Sequence, residues 1–546
     1  MKRNYLLVVV WITVASLWCA IRPAYGDPLI HETEAARYGL TRAWFAQAQL
    51  DASRGAVQDV ILDEGILFVQ TDQATLEAID AETGKSLWVV QLGSPGLSAV
   101  SPGFSHRLVV VINGMDLYVL NRYNGRILWK AKLDGAPGAG PSVSQQWLVV
   151  PLINGKIVAY RLEALKAKTT DLGIVPQEPL TADQVAAQER ARRESFQLKP
   201  PGSTPLVCST PGRPFVQPLV LRENPREESL AWATDQGYLC VGRINRTRAN
   251  SIELMYRLRT EAPIVAQPCY LPPNPAVLAD SGVIYGVSQD GFVHAIRERD
   301  GEDLWRFSTG GPIAENPVLV GPYLFVTNQL GGMYCLRAKE LSQVWWAADL
   351  MQFVAASKQR VYAADRLGRT RVLNAPTGSP AATLPTEMLP IKVVNTETDR
   401  LYLATKAGLI QCLHEIELSQ PVARRAPVQE REELAEATPP EKAGEPKPSE
   451  EKAVPAMPRS SSGTGSRPAT AKTSPKPKAG AGSSAGMYKD TAGVGSTRRT
   501  NRRGSRASGS SGYPMDYPGM SGPGTGPGTG KGKKAGGRGG MPPEGS

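Results

Sequence analysis

The sequence predicts an all-β fold: an eight-bladed β-propeller of four-stranded antiparallel sheets, with an N-terminal signal peptide and a disordered C-terminal tail. Three observations predict it. One phrase recurs, as A-I-D-A-E-T-G-K-S-L-W at 78–88, V-L-N-R-Y-N-G-R-I-L-W at 119–129 and A-I-R-E-R-D-G-E-D-L-W at 295–305. Around it, pairs of short apolar runs are joined by turns rich in Asp, Asn and Gly, the strongest local signal for a hairpin. Beyond Pro421, finally, Ile, Leu and Phe nearly vanish.

Taken in chain order, the first element is a basic start, Lys2 and Arg3, an apolar run over 5–20, and Ala24-Tyr25-Gly26 as a small-x-small site. This pattern reads as a secretory signal peptide over 1–26, cut before Asp27, and places the protein in the periplasm or cell envelope. Trp18 precedes Cys19 where lipoprotein signals carry a small residue, so lipidation is not expected. The apolar run approaches membrane-spanning length, and an uncleaved membrane anchor is the competing reading.

The second element, 27–420, holds the repeat. Copies begin near Ile66, Leu108, Trp147, Leu230, Val283, Tyr323, Val361 and Leu401. Most intervals are about forty residues, a period typical of propellers and solenoids. Each copy reads as a strand, a turn, an alternating strand, a second turn and a strand often opened by Trp. Four such strands form one sheet that buries its faces against its neighbours. Gly84, Gly125 and Gly301 supply turns where positive φ is easy, and Trp88, Trp129 and Trp305 follow four residues later. An aromatic at a blade junction buries on the order of 150–250 Å², so these tryptophans are expected to dock blade on blade. The repeat also degrades. Leu341 replaces the turn Gly before Trp345, and Ala382 stands where the seventh copy should carry Trp. The eighth copy ends near His414 without its outer strand. Trp44, within G-L-T-R-A-W-F-A-Q-A-Q-L at 39–50, is expected to supply that strand and close the ring without a free edge; a helix over 32–50 is the alternative.

An insertion at about 163–205 separates the third and fourth copies. Thr181 and Gln184 are spaced as a capping box ahead of V-A-A-Q-E-R-A-R-R-E, and Pro200-Pro201 ends the segment. It reads as an exposed helix on a long loop, either a solvated arm or a functional loop.

The phrase at 78–88 resembles the PQQ-like β-propeller repeat, "small, apolar, Asp, x, x, Thr, Gly, Lys, x, x, Trp", and the resemblance extends over about 40–418. It speaks to fold more than function, because this repeat serves quinoprotein dehydrogenases, sensory domains and envelope scaffolds. The chain also resembles the B-subunit family of the outer-membrane β-barrel assembly machinery, eight-bladed periplasmic lipoproteins that bind other proteins. It departs from that family in lacking a lipobox and adding the tail. The resemblance implies a scaffold with envelope protein partners.

Chemistry is harder to find. A quinoprotein dehydrogenase would bring a stacking Trp, a calcium site, a catalytic Asp and, in alcohol-oxidising families, a disulfide between adjacent cysteines; no two cysteines are adjacent in this sequence. Cys240, Cys335 and Cys412 are read at the repeat position of Ala78 and Ala295, as small buried residues of separate blades that do not pair with one another. Cys208 with Cys269 is the remaining candidate pair. His31, His106, His294 and His414 show no metal-ligand spacing. Asp300, Glu302 and Asp303 read as a solvated turn cluster. Gly482 to Gly486 matches G-x-S-x-G but lacks the strand and helix a nucleophile elbow needs. No catalytic, cofactor or metal residue is assigned, and no cofactor is expected.

The last element, 421–546, is too poor in apolar residues to offset its ordering entropy and reads as disordered. Residues 421–451 carry five basic and eight acidic side chains, and 452–546 carry sixteen and three, so the tail holds ten of the eleven net positive charges. Arg498, Arg499, Arg502, Arg503, Arg506, Lys531, Lys533 and Lys534 are candidate ligands for a polyanion, either anionic lipid or a wall polymer. Nucleic acid is not the expected ligand of an exported protein. The sequence therefore reads as a monomeric, non-enzymatic protein-binding scaffold of the periplasm or cell envelope. The alternatives are a PQQ-dependent dehydrogenase and an envelope anchor acting through the tail.

Overall fold

Short apolar runs become strands here because both of their faces are covered. The computed structural model describes residues 29–165, 182–200, 204–223, 227–245 and 251–424. The signal-peptide segment and the tail beyond Arg424, with every basic tail residue named above, lie outside the described residues. Among the described residues, thirty-two strands form eight four-stranded antiparallel sheets. Blade 1 shows the pattern, with strands Val57–Asp63, Ile66–Thr71, Thr75–Asp80 and Ser86–Gln91 running from the axis outward. Blades 2 to 7 repeat it over 103–132, 142–209, 219–259, 269–308, 318–348 and 350–384.

The second strand of blade 2, Leu108–Asn113, is buried at every residue, which explains its unbroken apolar run L-V-V-V-I-N. In the outer strand Ser86–Gln91 only Trp88 is buried, since one face of an outer strand meets the next blade and the other meets water. Each core cluster therefore lies between two blades: Phe68, Ala78 and Trp88 pack on Val109, Val111, Tyr118 and Leu120.

Antiparallel order sorts the turns onto two faces. Turns between first and second strands and between third and fourth strands lie on one face, here the bottom. Second-to-third turns and the blade-to-blade connections lie on the other, the top. Top turns are latched to the connection from the preceding blade, as in Gly114 N to Ser98 O (2.8 Å), Ile153 N to Ala136 O (3.0 Å) and Gln329 N to Pro312 O (2.8 Å).

The ring closes as expected. Strand Leu40–Gln47 pairs with Leu409–Glu415, with Leu40 opposite Glu415 and Trp44 opposite Cys412, and completes blade 8. The helical alternative holds only for α1 (Glu32–Arg37), whose first-turn N–H of Thr33 is capped by His31 Nδ1 at 3.3 Å. On the bottom face Glu397 of blade 8 accepts from Glu64 N (2.7 Å) and Gly65 N (3.0 Å) of blade 1, which ties the first and last blades.

The insertion splits blade 3 between its third strand, Lys156–Arg161, and its outer strand, Leu206–Ser209. It carries α2 (Ala182–Glu194). Its returning end packs on the bottom of blade 2, where Asn121 Nδ2 donates to Arg193 O (2.8 Å), Asn124 Nδ2 donates to Glu194 O (3.1 Å) and Leu198 is buried.

Three expectations are corrected. Val241, not Cys240, takes the repeat position: Val241 lies opposite Tyr256 as Ala78 lies opposite Trp88. A slip of one residue turns a side chain to the other face of its sheet, so Cys240 faces blade 3. Cys208 and Cys269 do not meet, since they lie in different clusters, one between blades 3 and 4 and the other between blades 5 and 6. Asp303 is not part of a purely solvated turn, because its Oδ2 lies 3.0 Å from Nδ1 of the buried His294; Asp300 and Glu302 instead pair with Arg297 at 3.0 and 2.5 Å.

Candidate functional site

The junctions come first, because they decide how rigidly the loops are presented. Trp44 Nε1 donates to Ala81 O (3.0 Å), Trp88 Nε1 to Arg122 O (2.8 Å) and Trp345 Nε1 to Ala375 O (2.8 Å), each carbonyl belonging to the next blade's bottom turn. Glycine lies under the ring in each case. A Cβ on Gly84 would stand 2.5 Å from Trp44 Cε3, and one on Gly125 would stand 2.6 Å from Trp88 Cε3, at φ of +70° and +67°. So the glycine serves the indole of the preceding blade as well as its own turn.

The remaining junctions vary this scheme. Gly301 lies against Tyr256, whose hydroxyl donates to Glu298 O at 2.7 Å; Tyr256 replaces the fourth-blade Trp, and its place opposite Val241 is the signal that would have found it. Trp305 packs beside Ala338 and Leu341, where Tyr285 donates to Ala338 O (2.7 Å) and Leu341 takes the turn at φ +50°. Trp129 is different. The insertion replaces the turn it should meet, and its buried Nε1 has no hydrogen-bond partner among the described residues. Arg122 seals the blade 1–2 junction: it is 1% exposed, reaches Asp63 Oδ2 at 2.5 Å and covers the Phe68 ring at 5.2 Å.

This rigid ring presents an unusual top face. Turn positions normally given to polar residues carry Leu330 and Leu367, 68% and 66% exposed, on blades 6 and 7. Leu97, Ile153, Phe215 and Met388 are exposed on other top turns and connections. Apolar side chains are exposed on outer strands too, as at Phe45 (58%) and Trp346 (50%), but the two most exposed among the described residues stand on this face. Single exposed residues spaced by tens of positions leave no periodic trace, so sequence reasoning missed this face.

At the centre lies a channel of about 650 Å³ lined by Asp59, Gln217, Gln267, Asn316, Gln352 and Lys392 among others. Its polar groups tie neighbouring blades together: Gln217 Nε2 donates to Pro141 O (2.6 Å), Gln267 Nε2 to Gln217 O (3.3 Å) and Gln352 Nε2 to Lys392 O (3.3 Å). Burial pushes the Asp59 carboxyl up and the Lys392 ammonium down. A second hollow of about 560 Å³ opens on the bottom face between blades 6 and 8, bounded by Tyr323, Phe325, Val361, Leu418 and Val422. Among the described residues, no group of three or more His, Cys, Asp and Glu could hold a metal ion, and no helix is long and apolar enough to cross a membrane.

A closed ring of eight four-stranded blades, three of its junctions docked through Trp on turn Gly, defines a PQQ-like β-propeller. The profile of the family described as outer membrane protein assembly factor BamB matches residues 41–167 and 289–408. A curated relative, outer membrane protein assembly factor BamB of Burkholderia pseudomallei (strain K96243), is 23% identical over 321 residues, which cover 50% of this chain and 82% of the relative. Among solved structures, BamB from Moraxella catarrhalis aligns at 13% identity and a TM-score of 0.48, covering 69% of this chain and 99% of its own. The computationally designed Ika8 protein aligns at 11% identity and a TM-score of 0.46, with 67% and 98% covered. The chain thus carries a PQQ-like propeller that is similar to the BamB proteins.

Proposed function

We propose that this protein is a non-enzymatic, monomeric scaffold of the bacterial periplasm or cell envelope that holds a partner protein against the top face of its propeller. The observation that carries the reading is the set of exposed apolar side chains on top turns, led by Leu330 and Leu367. Kinship with a protein named as an assembly factor for outer membrane proteins supports an envelope protein as the partner. Latched connections and Trp–Gly junctions hold these turns in fixed positions, which lowers the entropy cost of docking. The test places a photo-cross-linking residue at Leu330, at Leu367 and, as a bottom-face control, at Lys85, in cells of the native host. Adducts with a defined envelope protein from the top positions alone are expected; labelling from Lys85 alone, or from none of the three, refutes the reading. Stoichiometric PQQ binding with calcium in calorimetry would instead favour the dehydrogenase.

A second reading concerns the tail, carried by its sixteen basic residues over 452–546. We propose that it anchors the protein to anionic lipid or wall polymer after removal of residues 1–26. Deleting 452–546 should weaken retention on anionic vesicles at low salt. Unchanged retention removes this role.

A further inference from the structure

The junction between blades 3 and 4 holds two cysteines at positions that meet across other blade gaps. In the regular repeat, the outer-strand residue two places after the docking Trp faces a third-strand residue of the next blade. At the blade 5–6 junction these are Phe307 and Tyr334, with ring centroids 5.5 Å apart. At the blade 1–2 junction they are Val90 and Tyr118, in one packed cluster. In blade 3, Leu206 lies opposite Ala159, where the Trp would be, so the residue two places on is Cys208. In blade 4, Val241 lies opposite Tyr256, so the matching third-strand residue is Cys240. Both cysteines belong to the cluster built from Ile157, Ala159, Leu230 and Trp232. Those two junctions fill the gap with larger pairs, and here two small thiols face each other.

We propose that Cys208 and Cys240 form a disulfide that joins blade 3 to blade 4. Cys208 is half-buried and is the point of entry, whereas Cys240 is fully buried. The Cys208 thiol loses its proton and attacks an external small-molecule disulfide, releasing one thiol and leaving a mixed disulfide. The Cys240 thiol then loses its proton and attacks the Cys208 sulfur, which releases the second thiol. Two protein thiols and one external disulfide thus become one protein disulfide and two external thiols. Burial holds both thiols above their usual range, Cys240 at about 12, so the exchange is slow and accelerates with pH. Cys269, Cys335 and Cys412 lie in other clusters and are outside the pair.

The bond closes the blade that the insertion interrupts. Its outer strand, Leu206–Ser209, is four residues long and follows directly on that insertion, so a covalent tie to blade 4 would hold it in register. In cells the step needs the oxidising compartment that the proposed envelope location supplies; the test on purified protein does not depend on that location. Full-length protein is incubated with oxidised glutathione, alkylated, digested without reductant and mapped by mass spectrometry. The expected product is a peptide pair joining Cys208 to Cys240, lighter by two hydrogens and released by dithiothreitol, with Cys269, Cys335 and Cys412 alkylated. The half-exposed variant Cys208→Ser should fold and leave Cys240 fully alkylated after unfolding. A wild-type map with Cys208 free, held as a glutathione adduct, or joined to any other cysteine overturns the proposal.

Discussion

Trp88 and Trp129 sit at successive junctions and are similarly buried, 9% and 6% exposed, yet only one of them has a partner for its N–H. Trp88 Nε1 donates to Arg122 O at 2.8 Å, whereas Trp129 Nε1 is buried without an acceptor among the described residues. Replacing each with Phe removes about the same apolar surface, so that loss cancels in the comparison. The polar parts have opposite signs. Trp88→Phe deletes a hydrogen bond and strands a buried carbonyl, a cost of about 1–2 kcal/mol, and Trp129→Phe relieves an unsatisfied donor of about the same size. Trp88→Phe should therefore destabilise by about 2–4 kcal/mol more than Trp129→Phe. Urea unfolding followed by circular dichroism reads the difference from the midpoints, provided the slopes agree. Equal losses, or a larger loss at Trp129, would show that the indole N–H contacts do not set junction strength.

Gly125→Ala should be costlier than an exposed glycine change, because its Cβ would stand 2.6 Å from Trp88 Cε3 at φ +67°; a loss of about 2–3 kcal/mol is expected in the same assay, against about 1 kcal/mol for Gly65→Ala, where nothing lies within 4 Å. Asp59 supplies a pH test. Burial raises its folded pKa above 3.8, so its contribution is fully present below that value and is lost as pH rises through the folded pKa. Asp59→Asn keeps an acceptor for Val60 N (2.9 Å) and should stabilise the protein at neutral pH, with the gain disappearing below pH 3.8; a gain equal at both pH values would assign the effect to packing. Arg122→Met should cost about 2–3 kcal/mol, since it leaves the partly exposed Asp63 carboxylate without its buried partner, and thermal melting of the single and Arg122→Met/Asp63→Asn variants would show recovery in the double.

The blade count and the closing strand were legible because they follow from a sustained period and from one Trp, Trp44, that lacked a blade of its own. Cys240 was misplaced by one position, although counting from Thr234-Asp235-Gln236 as from Thr71-Asp72-Gln73 lands on Val241. The third strand Tyr238–Asn245 has eight residues where Thr75–Asp80 has six, so a count from its far end misses the position. Tyr256 was overlooked because a phenol does by a hydroxyl what the other junctions do by an indole. Leu330 and Leu367 were illegible for a different reason: a face assembled from isolated turn residues of separate blades exists only once the ring has closed.

The pairing that closes the ring also fixes how the molecule bears load. Leu40 lies opposite Glu415, so the chain enters blade 8 and leaves it at the same end of one ladder. Tension between the segment before Leu40 and the segment after Glu415 pulls that ladder apart pair by pair, as a zipper opens, and never loads its hydrogen bonds all at once. Before the first pair yields, the pull must break Ile416 N from Gly39 O (3.0 Å) and strip Arg400 from the carbonyls of Leu418 and Ser419 (2.8 Å each). The closure thus yields in sequence and not in shear, and the force at which it starts to open is set by the contacts that Arg400, Val422 and Arg424 make outside the ladder.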